Sequence, residues 1–357
     1  MSRTTLGQAH QVRGPRRIGG LAVLIVTLLA ACAAPAATPA QPVASKLTLE
    51  QVSATAKTEG KVLVSDSTPD QQFAPVIVAF KAKYPGIDVQ QLSQSSAEAI
   101  QQMTAEVQVN RTATTDVLIG GLAQLSVPEK DGILLATDWA ALGLGKDLIA
   151  SPAQVKAVGA LTVFIYNKSQ VAEKDAPRTW DDLLDPKWKG KLAIFPTGDI
   201  AADLTMPLGE AKATDLWTKL VAQSTIIATP PDVANKVAAG EFAVGVVRIQ
   251  HARAQVARGA PVAYVVPNPA VFSVLSGVIP KTAAHPNAAR LFIAWLASVE
   301  GANAYEKATL RGNPLVSGSQ AATDTKGLDL VTWDVQKESI DDRARLEAKF
   351  LQISQRR

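Results

Sequence analysis

One segment of the chain, Ala176–Phe195, constrains the fold more than any other. Thr179 is a favourable helix N-cap residue, and Asp182 stands three residues later, where the acid of a capping box belongs. Pro186 cannot continue a helix, and the apolar run Leu192–Phe195 that follows is typical of a buried strand. A loop of small residues and a second helix pattern come next. This order predicts a strand, a loop and a helix N-terminus, which is where open α/β sheets bind ligands.

Strand and helix patterns alternate on both sides of this segment. Lys61–Asp66, Ile87–Leu92 and Asp116–Ile119 are short runs that predict strands, and segments with apolar residues at helical spacing separate them. Leu161–Asn167 and Val244–Val247 predict two further strands. Alternation of this kind indicates an α/β fold with mostly parallel sheets that carry helices on both faces.

The first 31 residues have the pattern of an export signal. Four arginines and no acidic residue accompany the apolar run Leu21–Ala31, which is too short for a comfortable membrane span. The run leads into Leu29-Ala30-Ala31-Cys32, which matches the bacterial lipobox. We therefore predict a lipoprotein signal peptide in residues 1–31 and lipidation of Cys32; the alternative is an ordinary signal peptide with an incidental cysteine. Residues 32–46 are rich in Ala and Pro and predict a flexible tether.

Charge and cysteine content exclude several classes of protein. Four of the 36 basic residues lie in the predicted signal, so the remaining chain carries 32 basic and 32 acidic residues. This balance gives no indication of nucleic-acid binding. Cys32 is the only cysteine, so neither a disulfide nor thiol chemistry is expected once it is lipidated. The length of 357 residues predicts more than one domain.

The motif Thr179–Lys191 resembles one found at the same place in bacterial extracellular solute-binding proteins. The similar subfamily contains the proteins for ferric ion, phosphonates, thiamine and polyamines. The segments Gly240–Gly245 and His285–Leu296 resemble the same proteins, and the likeness extends from about Lys61 to the C-terminus. It implies a two-lobed periplasmic-binding-protein fold, in which each lobe is a mostly parallel sheet flanked by helices and two crossover strands form the hinge.

The resemblance also implies how the chain is divided between the lobes. Lobe 1 is expected to be discontinuous, comprising residues 47–167 and 271–315, and lobe 2 comprises residues 168–270. Residues 316–357 are expected to pack on the outside of the lobes.

A ligand pocket between the lobes is the site that the resemblance implies, lined by loops at the carboxyl ends of strands. The matching positions are Ser65, Ser67, Thr68, Ser95, Ser96, Gly121, Tyr166, Thr197, Gly198, Arg248, Gln250 and His251. Serines, glycines and helix N-termini suit an anionic or polar ligand, because backbone N–H groups point towards it. Arg248 is the best candidate for the full positive charge such a ligand needs. Five of these positions have an alternative structural role: Ser65, Ser67 and Thr68 as caps of the helix that follows, Arg248 as a solvated residue at the start of a helix, and Tyr166 as hinge packing.

Two further classes of site are disfavoured. The ferric-ion binders of this family place two adjacent tyrosines where this chain has Gln250 and His251, and none of its four tyrosines are adjacent. We therefore expect no direct metal site and no cofactor, although a chelated metal remains an alternative ligand. Motifs of nucleophilic hydrolases, zinc peptidases and nucleotide-binding loops are absent from the sequence, so we do not expect an enzyme.

The resulting expectation is a monomeric solute receptor of an ABC importer. It would be exported, anchored through Cys32 at the outer face of the cytoplasmic membrane or in the periplasm, and would deliver a small anionic solute to the permease. The alternatives are a lipoprotein that signals to a membrane receptor, and a binder of chelated iron.

Overall fold

A single mixed sheet runs through the described part of the protein, which in this computed structural model comprises residues 47–334 and 337–355. The predictions for residues 1–46, including the signal peptide, Cys32 and the tether, lie outside the described residues. The strands are β1 Lys61–Asp66, β2 Asp88–Ser93, β3 Val117–Gly121, β4 Ile149–Ser151, β5 Gln154–Asn167, β6 Leu192–Ile194, β7 Thr225–Ile226, β8 Val244–Arg248, β9 Val262–Val265, β10 Ala270–Val278 and β11 Leu330–Val331.

Helices cover both faces of this sheet. They are α1 Leu49–Glu59, α2 Asp70–Lys83, α3 Ser96–Gln108, α4 Leu122–Lys130, α5 Asp199–Leu208, α6 Glu210–Gln223, α7 Pro230–Ala238, α8 Ile249–Ala257, α9 Pro286–Leu296, α10 Val299–Thr309, α11 Gln320–Asp324 and α12 Ile340–Gln355. None of the helices within the described ranges is long and apolar enough to cross a membrane.

Two long strands connect two sets of parallel strands. The main order of the sheet is β2-β1-β3-β10-β5-β8-β6-β7. β1 pairs in parallel with β2 and β3, and β6 pairs in parallel with β7 and β8. β5 and β10 are antiparallel to each other and to their outer neighbours. Gly159 in β5 has no room for a side chain, because a Cβ there would overlap the carbonyl oxygen of Ser273 in β10.

The apolar side chains collect into two main clusters along the sheet. The first draws on the chain up to Val158 and on residues from Ile279 to Val316, and Phe80, Phe292 and Trp295 lie in contact within it. The second is built by residues between Leu161 and Phe272. Helix α12 adds two of its own apolar side chains to the second cluster, which attaches the C-terminal segment to that part of the sheet.

The segment Ala176–Phe195 has the predicted structure at its two ends but not in its middle. Thr179 and Asp182 form the reciprocal pair of hydrogen bonds expected of a capping box, yet only a 3₁₀ turn, Asp181–Leu184, follows. Pro186 begins the next 3₁₀ turn, so too few residues remain for an α-helix. The ring of Trp180 packs edge-on against Phe164 in the second cluster, which anchors the motif to β5.

Candidate functional site

A cavity of about 600 Å³ lies where the ends of β3 and β6 approach each other across β10. Gly121 precedes helix α4 and Gly198 precedes helix α5, so both helix N-termini border the cavity. Ser96, at the start of α3, and residues Phe272–Leu275 of β10 complete much of the wall, and α12 covers one side. The structure thus brings three of the predicted pocket residues, Ser96, Gly121 and Gly198, to one cavity.

Arg248 lies next to this cavity with its guanidinium group already engaged. Nη1 donates hydrogen bonds to the hydroxyl groups of Thr162 and Ser273, at 2.8 and 2.7 Å, and Nη2 forms an ion pair with Asp199. Burial alone would raise the pKa of Asp199, but the positive charge of Arg248 and a hydrogen bond from Thr197 lower it overall. The charge of Arg248 is therefore matched by a carboxylate, and this arrangement fixes the loop after β6.

A second arginine reaches the same loop from the C-terminal helix. Arg343 in α12 donates to Asp203 at 2.8 Å, to Glu347 at 2.7 Å and to the backbone carbonyl of Asp199 at 3.2 Å. Burial raises the pKa of Asp203 to about 7, although the charge of Arg343 opposes this shift. The helix packs so closely that a Cβ atom at Gly198 would overlap the carbonyl oxygen of Glu347.

The carboxylate of Asp66, at the end of β1, is buried. Asp66 is 1% exposed, and its Oδ1 accepts a hydrogen bond from the backbone N–H of Thr68 at 2.6 Å. Its Oδ2 is buried and has no hydrogen-bond partner in the described part of the chain. Burial raises the pKa of Asp66, while the bonds from Thr68 and the charge of Arg311 work against the rise. The neighbouring Ser65 hydroxyl accepts a hydrogen bond from Gln94 at 3.0 Å.

Gln250 and His251 lie in the first turn of α8, close to the segment that contains Arg311. Burial lowers the pKa of His251 to about 4, and the charges of Arg311 and Arg248 add to the effect, so the imidazole is neutral at physiological pH. Gln250 Oε1 and Arg311 Nη1 are buried without hydrogen-bond partners among residues 47–334 and 337–355.

Helix α8 is also tied firmly to helices α10 and α11. Arg253 donates to Glu306 and Asp324, both at 2.7 Å, to the carbonyl of Leu310 at 3.2 Å and to the hydroxyl of Tyr264 at 3.2 Å. These bonds hold the chain around Leu310 beside the first turns of α8. Arg311 thereby comes near residues that are about 60 positions earlier in the sequence.

The remaining predicted residues have local structural contacts. Ser95 caps α3 through the backbone N–H of Glu98, and Ser67 is exposed beside Asp66. Thr197 is buried, and its hydroxyl group donates to Asp199. Tyr166 is 4% exposed and packs in the second apolar cluster.

Arg311 and Tyr305 were not identified from the sequence. The Tyr305 hydroxyl lies 3.4 Å from that of Thr68, which connects the end of α10 to the loop after β1. The signal that could have indicated Arg311 is weak, since it is one arginine in a polar turn after a helix. No group of three or more His, Cys, Asp or Glu side chains suited to a metal ion occurs within the described residues.

Comparison with known proteins gives both a sequence match and structural likenesses. A family model of bacterial extracellular solute-binding proteins matches residues 155–335. An uncharacterized protein of Haemophilus influenzae is 30% identical over 197 residues, which cover 50% of this chain and 56% of that protein. The match thus spans little more than half the length of this curated relative.

Two solved structures resemble almost the whole described part. Iron-bound HitA from Pseudomonas aeruginosa has a TM-score of 0.67 at 20% identity, and the match covers 81% of this chain and 99% of HitA. The Atu4243 GABA receptor has a TM-score of 0.66 at 19% identity, and the match covers 83% of this chain and 98% of the receptor. These likenesses confirm the predicted fold class, that of the two-lobed periplasmic binding proteins.

Proposed function

Because the chain belongs to the family of bacterial extracellular solute-binding proteins, we propose that it captures a small solute and delivers it to the permease of an ABC importer. The observation that carries this proposal is the convergence of loops from both halves of the sheet. Gly121 after β3 and Gly198 after β6 line one cavity, and Asp66 at the end of β1 and His251 after β8 both feel the charge of Arg311. Among the described residues, Asp66 Oδ2 and Gln250 Oε1 in these segments are buried without hydrogen-bond partners, whereas most buried polar groups in proteins are hydrogen-bonded.

We infer that the solute carries an acidic group. The N-terminus of α4 borders the cavity and attracts negative charge, whereas the first turn of α5 already carries the carboxylate of Asp199. Arg248 was predicted to supply the full positive charge, but its guanidinium group is engaged by Asp199, Thr162 and Ser273. We assign that role to Arg311 instead, since its Nη1 is buried and lacks a partner in the described part of the molecule.

Capture would proceed by closure of two lobes, with β5 and β10 as the hinge. We place lobe 1 in residues 47–167 and 271–315 and lobe 2 in residues 168–270, as predicted from the sequence. The two apolar clusters supply a core for each, which supports this division. Membership in an extracellular family implies export, and we propose lipidation of Cys32 as the means by which the receptor stays near its permease.

The two similar structures indicate that the fold alone does not select one solute. HitA holds iron, whereas the Atu4243 protein is a receptor for GABA. The adjacent positions Gln250 and His251 of this chain offer an amide and a neutral imidazole, which suit a hydrogen-bonding organic solute better than a ferric ion.

Thermal unfolding of the purified full-length chain in detergent, against a panel of solutes, tests the proposed function. The panel contains small anions, amino acids, polyamines, thiamine, sugar phosphates and metal ions. A specific solute at a hundred times its dissociation constant should add about 2.7 kcal/mol to the free energy of unfolding. A saturable rise in Tm for one chemical class is the expected result. No saturable shift with the panel or with the small-molecule fraction of a cell extract would contradict a receptor function.

A further inference from the structure

Two opposite charges at the candidate site lack complete pairing. The Asp66 carboxylate has one buried oxygen without a partner, and the Arg311 guanidinium has one buried nitrogen without a partner, among the described residues. Neither atom can be satisfied by bulk water while it is buried, and an unpaired buried charge is costly. The rest of the site is balanced, because Arg248 pairs with Asp199 and His251 is neutral.

The hydrogen bonds of the surrounding residues place these two charges at the same site. Thr68, which donates its backbone N–H to Asp66, has its hydroxyl 3.4 Å from that of Tyr305 near the end of α10. Arg253 of α8 holds the carbonyl of Leu310, immediately before Arg311. The loop after β1, the end of α10 and the first turn of α8 therefore meet, and Arg311 is close enough to Asp66 to oppose the rise in its pKa.

This pairing of charges discriminates against singly charged solutes. A simple anion that binds Arg311 would lie near the carboxylate of Asp66, and a simple cation that binds Asp66 would lie near Arg311. Each would satisfy one buried charge and be repelled by the other. A solute with both charges satisfies both groups through charge-assisted hydrogen bonds.

We propose that the solute is dipolar, with a protonated amine that binds Asp66 and an acidic group that binds Arg311. The proposal rests on the proposed receptor function and narrows its anionic solute to an amino acid, amino sulfonate or amino phosphonate. His251 lies near Arg311 and next to Gln250, and these two residues would supply neutral hydrogen-bonding groups to the part of the solute next to its acid. The length of that chain is set by the separation of Asp66 and Arg311.

Matched sets of probes test this proposal by calorimetric titration of the full-length protein. Each set holds an ω-amino acid of two to five carbons, the alkanoate of the same length and the alkylamine of the same length. Parallel sets replace the carboxylate by a sulfonate or a phosphonate. We expect one amino acid, or its sulfonate or phosphonate analogue, to bind about tenfold or more tightly than the acid without the amine and the amine without the acid. A hydrogen bond to a charged group contributes enough binding free energy for such a difference.

Two substitutions separate the roles of the charges. Asp66→Asn keeps an oxygen for the backbone N–H of Thr68 but removes the charge, so the preference for the amine should disappear while the acid still binds. Arg311→Gln should weaken every acid-bearing probe about tenfold or more. The matched controls are Asp70→Asn and Arg258→Gln, which change exposed residues at the start of α2 and just after α8 and should leave all affinities unchanged.

The outcomes distinguish this proposal from the receptor function itself. An alkanoate, sulfonate or phosphonate without an amine that binds as tightly as its amino counterpart would overturn the dipolar solute and leave the receptor intact. If a solute of another class binds in the thermal-unfolding panel and none of the matched probes binds, the dipolar solute is likewise overturned. If no compound binds in either the panel or the matched sets, the receptor function is overturned. Should Asp66→Asn fail to fold, the comparison of probes on the wild-type protein still decides the matter.

Discussion

The buried ion pair between Arg343 and Asp203 should make the stability of the protein depend on pH in a defined way. The perturbation is Arg343→Gln, which removes the charge from α12 and leaves Asp203 in α5 buried without it. Both side chains are almost fully inaccessible, at 5% and 2% exposure. The removal of one partner from such a pair costs about 3–5 kcal/mol when the other must stay charged. The bond to Glu347 adds little, because that carboxylate is 39% exposed.

The cost should be smaller in acid, because Asp203 can then be neutral. Burial raises its pKa from 3.8 to about 7 in the folded protein, against the charge of Arg343. A raised carboxyl pKa gives stability that is fully present below pH 3.8 and is lost as the pH rises through 7. Without Arg343 the pKa rises further, so the variant loses most at alkaline pH. We expect a loss of about 3–5 kcal/mol at pH 8 and about 1–2 kcal/mol at pH 5, where only hydrogen bonds are lost.

Equilibrium unfolding in urea at pH 5 and pH 8, followed by tryptophan fluorescence and circular dichroism, measures both values. Coincident transitions by the two probes establish that the free energies are comparable. Arg345→Gln, on the exposed face of the same helix, is the matched control and should change little at either pH. The double substitution with Asp203→Asn should restore much of the loss at pH 8. Equal losses at the two pH values, or a negligible loss at pH 8, would refute the reasoning.

Three further perturbations follow from other contacts. Glu59→Gln should lower the free energy of unfolding in urea by about 1 kcal/mol, because the Glu59 carboxylate accepts hydrogen bonds from the first backbone N–H groups of α9. An unchanged unfolding midpoint would show that this cap does not stabilise the protein. Gly198→Ala should lower the free energy of unfolding by about 1–3 kcal/mol, because the added methyl group would overlap the Glu347 carbonyl. Gly145→Ala, where the methyl group would have open space, should lower it by less in the same assay. In an NMR titration the His251 imidazole should stay neutral down to pH 5, because burial lowers its pKa to about 4; a midpoint near 6.5 would mean that it is hydrated.

The sheet was predictable because its strands are apolar runs bounded by turn residues. Lys61–Asp66 is a strand with the predicted bounds, and the predicted strand Leu161–Asn167 is the second half of the longer β5. Helices α1, α4 and α11 were not predicted, because their apolar spacing is weak. Tertiary contacts stabilise such segments, as the bond from Arg253 to Asp324 does for α11.

The candidate site was less predictable than the fold, because its chemistry depends on partners far apart in sequence. Arg248 was expected to be available to a ligand, and its ion-pair partner Asp199 lies 49 residues earlier. Arg311 was overlooked because the sequence does not show that its Nη1 is buried without a hydrogen-bond partner among the described residues. A sequence motif can indicate which loops lie at the site. Which charged side chains can bind a ligand depends on the ion pairs that form in the folded protein.

The structure of the protein crystallised with and without its solute tests the central claim most directly. The account predicts a solute held between the two lobes in contact with Arg311, and an angle between the lobes that differs from that of unliganded crystals because β5 and β10 flex. The same angle in both crystals, or a solute bound away from the loops that follow β1, β3, β6 and β8, would contradict the account.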